Sequence, residues 1–422
     1  MLSLEKNKSK GYIAALNFID EPINEVEDID ELKSLAFTIN IEVVDYTIQN
    51  LTKPNAATFI GKGKANDVIS CALELQCDYI IFYNEIGANQ IKNLQNIAKS
   101  KIKIIDRTYI ILEIFTKHAK SSEAKAQVEL AKLKYLLPRL NKQWTHLERQ
   151  MGGIGTRGGP GEKQIEIDRR IIRNQINVLN EKLLKIQKQR KIQQSSRRNM
   201  FRVALVGYTN AGKSTIMNML TGSNVKTKNQ LFVTLDTTTR KYNAHLGQDL
   251  LISDTVGFIK NIPHDLIASF RSTLKEVESV DLLLKVFDVS SSNLDVHMET
   301  VEKVLNDLKL NKKNSIYIFN KVDLLHKNSK IYNNYLKKYS ESIFISALNN
   351  NNNKIIKDSL KRFVKLDFLK VSLFISFKNY KYLDSIYNNV NVVSKKNTQK
   401  GINLIIEGKK KYISQIRKRL NS

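Results

Sequence analysis

The sequence predicts a multidomain α/β protein. Short apolar, β-branched runs alternate with helical stretches over residues 1–112 and again over 200–365, a pattern typical of parallel sheets with crossover helices. Two heptad-spaced apolar stripes lie between these regions and predict an antiparallel helical hairpin over 113–199. Residues 366–422 show a strand-helix-strand-strand-helix pattern, which predicts a small C-terminal α+β domain. A chain of 422 residues is long enough for these four parts.

The N-terminal α/β domain is predicted from apolar strand segments and the helical stretches between them. Strands are expected at 11–19, 42–46, 79–83 and 102–106, and helices at 30–36 and 65–75. Gly61-Lys62-Gly63-Lys64 precedes the second helix and could bind a phosphate. Because no lysine-serine pair ends this segment, a turn followed by a helix start is the favoured interpretation.

The hairpin is predicted from apolar residues that alternate spacings of four and three on both sides of a glycine-rich stretch. These residues are Ala126, Leu130, Leu133, Leu137, Leu140, Trp144 and Leu147, then Ile172, Ile176, Leu179, Leu183 and Ile186. Pro138 is expected to kink or interrupt the first helix. Arg149, Arg157 and Lys163 lie near the glycines and are candidate RNA contacts; a flexible loop without a ligand is the alternative.

The region 200–365 contains a complete phosphate-binding P-loop. Its residues are Gly207, Tyr208, Thr209, Asn210, Ala211, Gly212, Lys213 and Ser214, followed by Thr215. An apolar strand precedes the loop and a helical pattern follows it, so the loop lies at a helix N-terminus, where backbone N–H groups favour phosphate. Lys213 is expected to reach the β and γ phosphates, and Ser214 to bind Mg²⁺.

A guanine-binding motif follows about a hundred residues later. Asn320-Lys321-Val322-Asp323 comes directly after the predicted strand 315–319. The carboxylate of Asp323 can accept from the ring N–H and the exocyclic amine of guanine, and adenine offers no such donor pair. Asn320 and the stem of Lys321 are expected to hold the loop and cover the base. Further on, a backbone N–H of Ser346-Ala347-Leu348 could bond the guanine carbonyl, which completes a site for GTP and GDP.

Two switch segments are predicted between these motifs. In Asp254-Thr255-Val256-Gly257, Asp254 is expected to hold Mg²⁺ through water and the Gly257 N–H to sense the γ-phosphate. The first switch is predicted at 231–239. Thr234 is our choice for the second hydroxyl on the metal and Thr238 is the alternative; a plain edge strand is the other interpretation of this segment.

Candidate catalytic residues are Lys213, Asn210 and Gly257. Phe258 follows Gly257, where many GTPases carry a glutamine that orients the attacking water, so hydrolysis by the protein alone is expected to be slow. In GTPases of the Era and TrmE kind, an asparagine at the position of Asn210 accompanies a potassium ion. We therefore expect K⁺ as a possible second cofactor beside Mg²⁺.

Four segments outside these motifs resemble the signature of the HflX family of ribosome-associated GTPases, and the resemblance covers nearly the whole chain. The segments are Gln127–Ala131, Trp144–Gln150, Gly152–Glu162 and Asp168–Arg170. Departures from the family pattern are Lys163 at a usual threonine, one added glycine at 158–159, and Thr237 at a usual proline. The resemblance implies a GTPase that binds the large (50S) ribosomal subunit and its rRNA through the hairpin, and that splits or rescues stalled ribosomes.

The charge distribution also indicates a polyanionic partner. The chain carries 68 basic and 41 acidic residues, a net charge of +27. Residues 1–100 hold 9 basic and 14 acidic residues, 101–200 hold 23 and 9, and 366–422 hold 12 and 3. Positive charge is therefore densest in the hairpin and the C-terminal domain, as expected for RNA binding. A solvated basic surface and an anionic membrane are the alternatives.

Other features limit the remaining possibilities. Cys71 and Cys77 fit neither a disulfide framework nor a metal site. The sequence also contains no stretch of 18 apolar residues. We therefore expect a cytoplasmic protein, and peripheral membrane association is left open. We expect a monomer when free. Two other functions remain open: an ATP-dependent RNA- or ribosome-remodelling protein that uses the N-terminal domain, and a TrmE-like GTPase activated by dimerisation in RNA modification.

Overall fold

The computed structural model describes residues 8–19, 22–140, 162–195, 200–222, 231–232, 234–243, 249–260, 277–325, 330–339, 341–349 and 353–421. It confirms the predicted α/β class, because two of its three sheets are parallel or mostly parallel. The chain forms two compact units. The first contains 1–184, 228–236 and 260–271, and the second contains 185–227, 237–259 and 272–422.

The first unit contains a four-stranded parallel sheet of order β2-β1-β3-β4. The strands are β1 (Ser9–Asn17), β2 (Ile41–Asn50), β3 (Tyr79–Phe82) and β4 (Lys103–Asp106), and the helices are α1 (Glu25–Thr38), α2 (Lys62–Glu74), α3 (Ala88–Ile97) and α4 (Arg107–His118). The central run 12–16 of β1 is wholly buried, as expected for a parallel strand covered on both faces. The Gly61–Lys64 segment is the start of α2, with Gly61 at the N-cap.

The helical hairpin also belongs mainly to the first unit. Helix α5 (Ser122–Leu136) ends in a short 3₁₀ turn at Leu137–Arg139 that contains Pro138, and helix α6 spans Glu162–Ser195. Residues of the predicted stripes from both helices form one buried cluster: Ala126, Leu130, Leu133, Leu140, Ile172, Leu179 and Leu183, with Leu137 and Ile176 packed against it. The helix–helix packing and the interruption at Pro138 are thus confirmed. Arg149, Arg157 and the side chain of Lys163 lie outside the described part of the chain.

Part of the predicted first switch packs within the first unit. Phe232 is buried, and its ring meets that of Phe115 edge to face at a centroid distance of 4.7 Å. The Nδ1 atom of His118 lies 2.8 Å from the Phe232 carbonyl oxygen, so an Nδ1–H tautomer would donate to it. The end of α4 therefore holds this segment through an aromatic contact and a hydrogen bond.

Asp236 fixes the same segment at the start of α5. Its Oδ2 accepts hydrogen bonds from the backbone N–H groups of Lys120 (2.9 Å) and Ser121 (3.2 Å), and its other carboxylate oxygen accepts from the Ser121 hydroxyl. Ser121 itself caps the helix by accepting from the Ala124 N–H. A carboxylate beside a helix N-terminus is favoured by the helix dipole, so Asp236 extends the cap of α5.

The second unit contains a six-stranded sheet of order β10-β9-β8-β5-β7-β6, parallel except for the edge strand β6. Its strands are β5 (Phe201–Gly207), β6 (Thr238–Asn243), β7 (Asp249–Asp254), β8 (Leu282–Asp288), β9 (Ser315–Asn320) and β10 (Ile343–Phe344). Its helices are α7 (Lys213–Thr221), α8 (Leu294–Asp307), α9 (Lys330–Lys338) and α10 (Asn353–Asp367). Buried clusters cover both faces of this sheet.

The C-terminal part of the second unit is an antiparallel three-stranded sheet with helices on one face. The strands β11 (Phe368–Ser376), β12 (Asn391–Thr398) and β13 (Gly401–Lys409) have the order β11-β13-β12, and the helices are α11 (Leu383–Asn389) and α12 (Lys410–Asn421). This matches the predicted pattern of elements. Across the described ranges of both units, no helix is long and apolar enough to cross a membrane.

We predict that Asp236→Ala weakens the start of α5, although the Ser121 cap remains. Loss of the carboxylate removes the acceptor of two backbone N–H groups, and loss of a hydrogen bond costs about 1 kcal/mol. Hydrogen–deuterium exchange in peptides that cover 120–128 is therefore expected to rise about fivefold. Glu129→Ala changes an exposed carboxylate on the same helix and serves as the control. Unchanged exchange in Asp236→Ala would show that these hydrogen bonds contribute nothing.

Candidate guanine nucleotide site

The P-loop lies between the end of β5 and the start of α7, and two of its glycines are required by close contacts. A Cβ atom on Gly207 would lie 2.1 Å from the carbonyl oxygen of Val286 in β8. Gly212 has a left-handed backbone with φ of +92°, and a Cβ atom there would lie 2.1 Å from Asn320 Nδ2. Only glycine fits at either position, so the loop geometry depends on packing against two other strands.

The predicted phosphate-binding lysine is buried within this loop. Lys213 Nζ donates to the carbonyl oxygens of Gly207 (3.1 Å) and Tyr208 (2.7 Å). Burial lowers the pKa of Lys213 from 10.5 to about 8, and the nearby carboxylate of Asp254 opposes that shift. The ammonium group therefore needs an anionic partner, and a phosphate group would supply one.

The predicted magnesium ligands lie side by side. Ser214 Oγ donates to Asp254 Oδ2 over 2.6 Å, which places a hydroxyl and a carboxylate at one point. Oxygen donors of this kind are those that Mg²⁺ prefers, so the residues present fit the ion. Thr238 is in register opposite Asp254 in the β6–β7 pair, whereas Thr234 belongs to the segment that packs in the first unit. Our choice of Thr234 over Thr238 stays a prediction.

The second switch begins directly against the P-loop. The Thr209 N–H donates to the Phe258 carbonyl oxygen (2.8 Å), and the Phe258 N–H donates to that of Gly207 (3.0 Å). Between these bonds, a Cβ atom on Gly257 would lie 2.8 Å from Thr209 Cα and 3.0 Å from Lys213 Nζ. Gly257 therefore lies beside Lys213, the predicted phosphate-binding lysine.

Three further residues of the phosphate-binding segments have clear positions. The ring of Phe258 is buried in a core cluster with α8 residues, so this side chain presents no polar group to a nucleotide. Thr255 Oγ1 donates to the Leu205 carbonyl oxygen (2.7 Å) and ties the second switch to β5. Asn210 has a left-handed backbone with φ of +59° and an exposed side chain, which is therefore accessible to an ion or ligand.

Asn320 connects the P-loop to the guanine-binding loops. Its side chain is only 2% exposed; Nδ2 donates to the Ala211 carbonyl oxygen and Oδ1 accepts from the Ala347 N–H, both over 2.9 Å. Since the Ala347 amide is engaged in this bond, a guanine carbonyl would have to share it. The side chain of Asn320 therefore links these two loops through both ends of its amide.

The other guanine-site residues lie around Asn320. Asp323 lies in a 3₁₀ turn, and its side chain is exposed and accessible to a base. Lys321 has φ of +65°, and its Nζ lies 2.6 Å from Asp288 Oδ2, which fixes the stem of the side chain. Leu348 is exposed, whereas Ser346 is buried. Within the described residues, Ser346 Oγ has no hydrogen-bond partner, and a bound polar ligand would satisfy it.

Two site features were not predicted from the sequence. Asp288 is the last residue of β8 and pairs with Lys321. An acidic residue at the end of a strand could have indicated this site. The strand itself was not evident because Lys285 interrupts its apolar run. Tyr208 stacks on His297 of α8 at a centroid distance of 3.8 Å. No local pattern indicates this second contact because 89 positions separate the residues.

We predict that Asn320→Ala releases both loops and lowers GDP affinity. The substitution leaves the Ala211 carbonyl and the Ala347 N–H without their partner, at a cost of about 1–3 kcal/mol for each buried group. Hydrogen–deuterium exchange should rise in peptides from both loops. Asn320→Asp is the matched variant: it keeps an acceptor for Ala347 but has no N–H for Ala211, so the P-loop should respond more strongly. Equal protection in native protein and Asn320→Ala would contradict this role.

We also predict that nucleotide affinity falls as the pH rises above about 8. In the nucleotide-free fold, burial lowers the pKa of Lys213 from 10.5 to about 8, so folding favours the neutral amine between these values. The contribution of this group to folding stability is therefore full above pH 10.5 and is lost as the pH falls through about 8. Phosphate favours the charged form, and binding therefore takes up a proton between these values. The Kd for GDP should rise by up to about tenfold per pH unit. Lys213→Arg keeps its charge and isolates this effect from titration of the base; equal slopes in both proteins would contradict the prediction.

Known families and proteins are similar to this chain. Residues 26–116 match the family model "GTP-binding GTPase N-terminal", residues 118–197 match "GTP-binding GTPase Middle Region", and residues 202–321 match "50S ribosome-binding GTPase". Among solved structures, the GDP complex of SsGBP is 25% identical, with a TM-score of 0.48 over 85% of this chain and 99% of that one. A GTP-binding protein of Sulfolobus solfataricus with GDP is 24% identical, with a TM-score of 0.43 over 84% and 99%.

Curated relatives are more similar in sequence. GTPase HflX of Flavobacterium psychrophilum is 46% identical over 77% of this chain and 83% of its own length. The corresponding proteins of Caldanaerobacter subterraneus subsp. tengcongensis and Escherichia coli are 42% and 39% identical, over 91% and 71% of this chain and 88% and 70% of theirs. With this identity over most of both chains, and with a P-loop and a guanine motif in place, the protein belongs to the HflX family of GTPases.

Proposed function

We propose that this GTPase binds the large ribosomal subunit through its hairpin and N-terminal domain, and that it splits or rescues stalled ribosomes. The observation that carries the ribosome-binding part of the proposal is the match of residues 202–321 to the family model "50S ribosome-binding GTPase". Neighbouring matches to the N-terminal and middle regions support the participation of residues 26–197. The cytoplasm is the expected location of such a factor.

The charge of the hairpin supports RNA as the ligand of this part of the chain. Helix α6 packs one side on α5 and exposes basic side chains on the others, among them Arg169, Arg170, Arg173, Lys182 and Lys185. Exposed basic residues distributed along a long helix favour a phosphate backbone as ligand. We propose Arg149, Arg157 and Lys163 as contacts to rRNA at the end of this hairpin.

The nucleotide site supports a slow hydrolysis that a partner accelerates. Lys213 and the Gly257 N–H would hold the γ-phosphate, and Asp323 would select guanine. Mg²⁺, held by Ser214, by Asp254 through water and by Thr234, would neutralise phosphate charge. Phe258 leaves the position of the usual water-orienting side chain buried and apolar, so the missing function must come from elsewhere. We propose that the ribosome, together with K⁺ at Asn210, supplies it.

The two alternative functions, an ATP-dependent remodelling protein and a GTPase activated by dimerisation, predict different results. A cavity of about 630 Å³ beside β1 and β2 is lined by the carboxylates of Glu25 and Asp45, which disfavour a phosphate group there. An ATP-dependent remodelling protein would show ATP turnover that survives Asp323→Ala. A TrmE-like GTPase activated by dimerisation would show GTP turnover that rises with protein concentration in the absence of ribosomes.

We predict that purified 50S subunits raise GTP turnover tenfold or more in potassium buffer, which corresponds to about 1.4 kcal/mol of barrier. Lys213→Ala provides the blank. Arg149→Glu combined with Arg157→Glu should reduce the stimulation without changing basal turnover, because the charge reversal repels rRNA. Lys182→Glu is the matched control, since it reverses an exposed charge within α6.

Each possible result of this assay has a defined meaning. If 50S subunits stimulate the arginine variant and Lys182→Glu equally, Arg149 and Arg157 are not contacts to rRNA. Absence of stimulation by 50S subunits, with a silent blank, would leave a GTPase without the ribosome as activator. The potassium proposal is abandoned if turnover is the same in KCl and NaCl.

A further inference from the structure

Among the residues that the structure describes, no helix covers one face of the C-terminal sheet. Alternate residues of β13 (Ile402, Leu404 and Ile406) are buried in a cluster with residues of α11 and α12. The residues between them point to the opposite face, as the two-residue period of a strand requires. On that face Phe374 is 51% exposed and Ile405 is 37% exposed. We call this surface the open face of the C-terminal sheet.

The strand register arranges three different side chains across this open face. Phe374 of β11 is opposite Asn403 of β13, and Asn403 is opposite Lys396 of β12. All three are exposed, and neighbouring strands are about 4.8 Å apart. An aromatic ring, an amide and an ammonium group therefore form one row about 10 Å long.

The next rows continue this surface. Ile405 lies between Ser372 and Ser394, and Glu407 lies between Lys370 and Asn391. The apolar groups are thus few and interspersed with polar ones, unlike the contiguous apolar patch typical of a protein-binding surface. Glu407 is the one carboxylate among these three rows, beside two lysines. Residues 366–422 as a whole carry 12 basic and 3 acidic residues.

We propose that the open face of the C-terminal sheet binds single-stranded RNA. A base would stack on the Phe374 ring, the Asn403 amide would bond a base edge, and Lys396 would pair with a phosphate. Sheets that bind single-stranded RNA combine stacking aromatic side chains with basic groups in this way. The excess of positive charge favours a polyanion over a neutral peptide. The surface is separate in sequence from the nucleotide motifs and from the hairpin, so it stands independently of the ribosome-activation proposal.

A local fluorescent reporter distinguishes base stacking from general attraction of charge. The chain's single tryptophan, Trp144, is changed by Trp144→Phe, and a new tryptophan is introduced by Phe374→Trp in the full-length protein. Oligoadenylate and oligouridylate of about 12 nucleotides are titrated as probes, and inorganic polyphosphate provides similar charge without bases. Tyr387→Trp in the same background is the matched control, because Tyr387 is 46% exposed on α11, the helix that packs on the other face.

We expect saturable quenching of the position-374 tryptophan by the oligonucleotides, little quenching by polyphosphate, and little quenching in the Tyr387→Trp protein. Lys396→Ala should lower the salt dependence of this binding by about 0.7 in the log–log slope, and Lys396→Arg should retain it. Absence of quenching at position 374 would overturn the proposal. Equal quenching by polyphosphate, or in the control protein, would also overturn it and would indicate attraction of any polyanion, including an acidic protein surface.

Discussion

One buried amide side chain holds together the loops on which the nucleotide site depends. Asn320 donates to the P-loop carbonyl of Ala211 and accepts from the Ala347 amide, so the phosphate-binding and guanine-binding loops share a single residue. The contact is possible only because Gly212 has no side chain, since a Cβ atom there would overlap Asn320 Nδ2. The asparagine can therefore occupy its position only because a glycine lies 108 positions earlier in the chain. Leaving buried polar groups of this kind without hydrogen-bond partners costs free energy.

The strand order explains how a small number of residues can form the candidate nucleotide site. Strand β5 lies between β7 and β8, and β9 follows β8, all parallel, so their carboxyl ends meet at one edge of the sheet. Each end delivers one part of the site: the P-loop after β5, Asp254 at the end of β7, Asp288 at the end of β8 and Asn320 at the end of β9. Ligands in open α/β sheets bind at this carboxyl edge. The same topology brings Lys321 to Asp288.

Basic side chains occur in two different environments in this protein. Burial lowers the pKa of Lys213 to about 8, so an anionic ligand would strongly stabilise its charged form. The lysines and arginines of α6 and the lysines of the open face of the C-terminal sheet are exposed, as the proposed contacts to a polyanion would require. The first environment favours a specific bound phosphate, whereas the second favours a backbone that can be bound at many points.

The sequence by itself determined the parts of this protein that depend on neighbouring residues. The P-loop, the guanine motif, the apolar stripes of α5 and α6 and the break at Pro138 were all predicted, because loop geometry and helix periodicity are local properties. Strand β8 was not predicted, since Lys285 interrupts its apolar run; the structure shows this lysine buried and paired with Glu302. Only tertiary structure decided that Asp236 accepts hydrogen bonds from the backbone at the start of α5 and that Thr238 lies opposite Asp254. Such contacts join residues far apart in the chain, and no local pattern specifies which distant group will satisfy a helix end or a strand register.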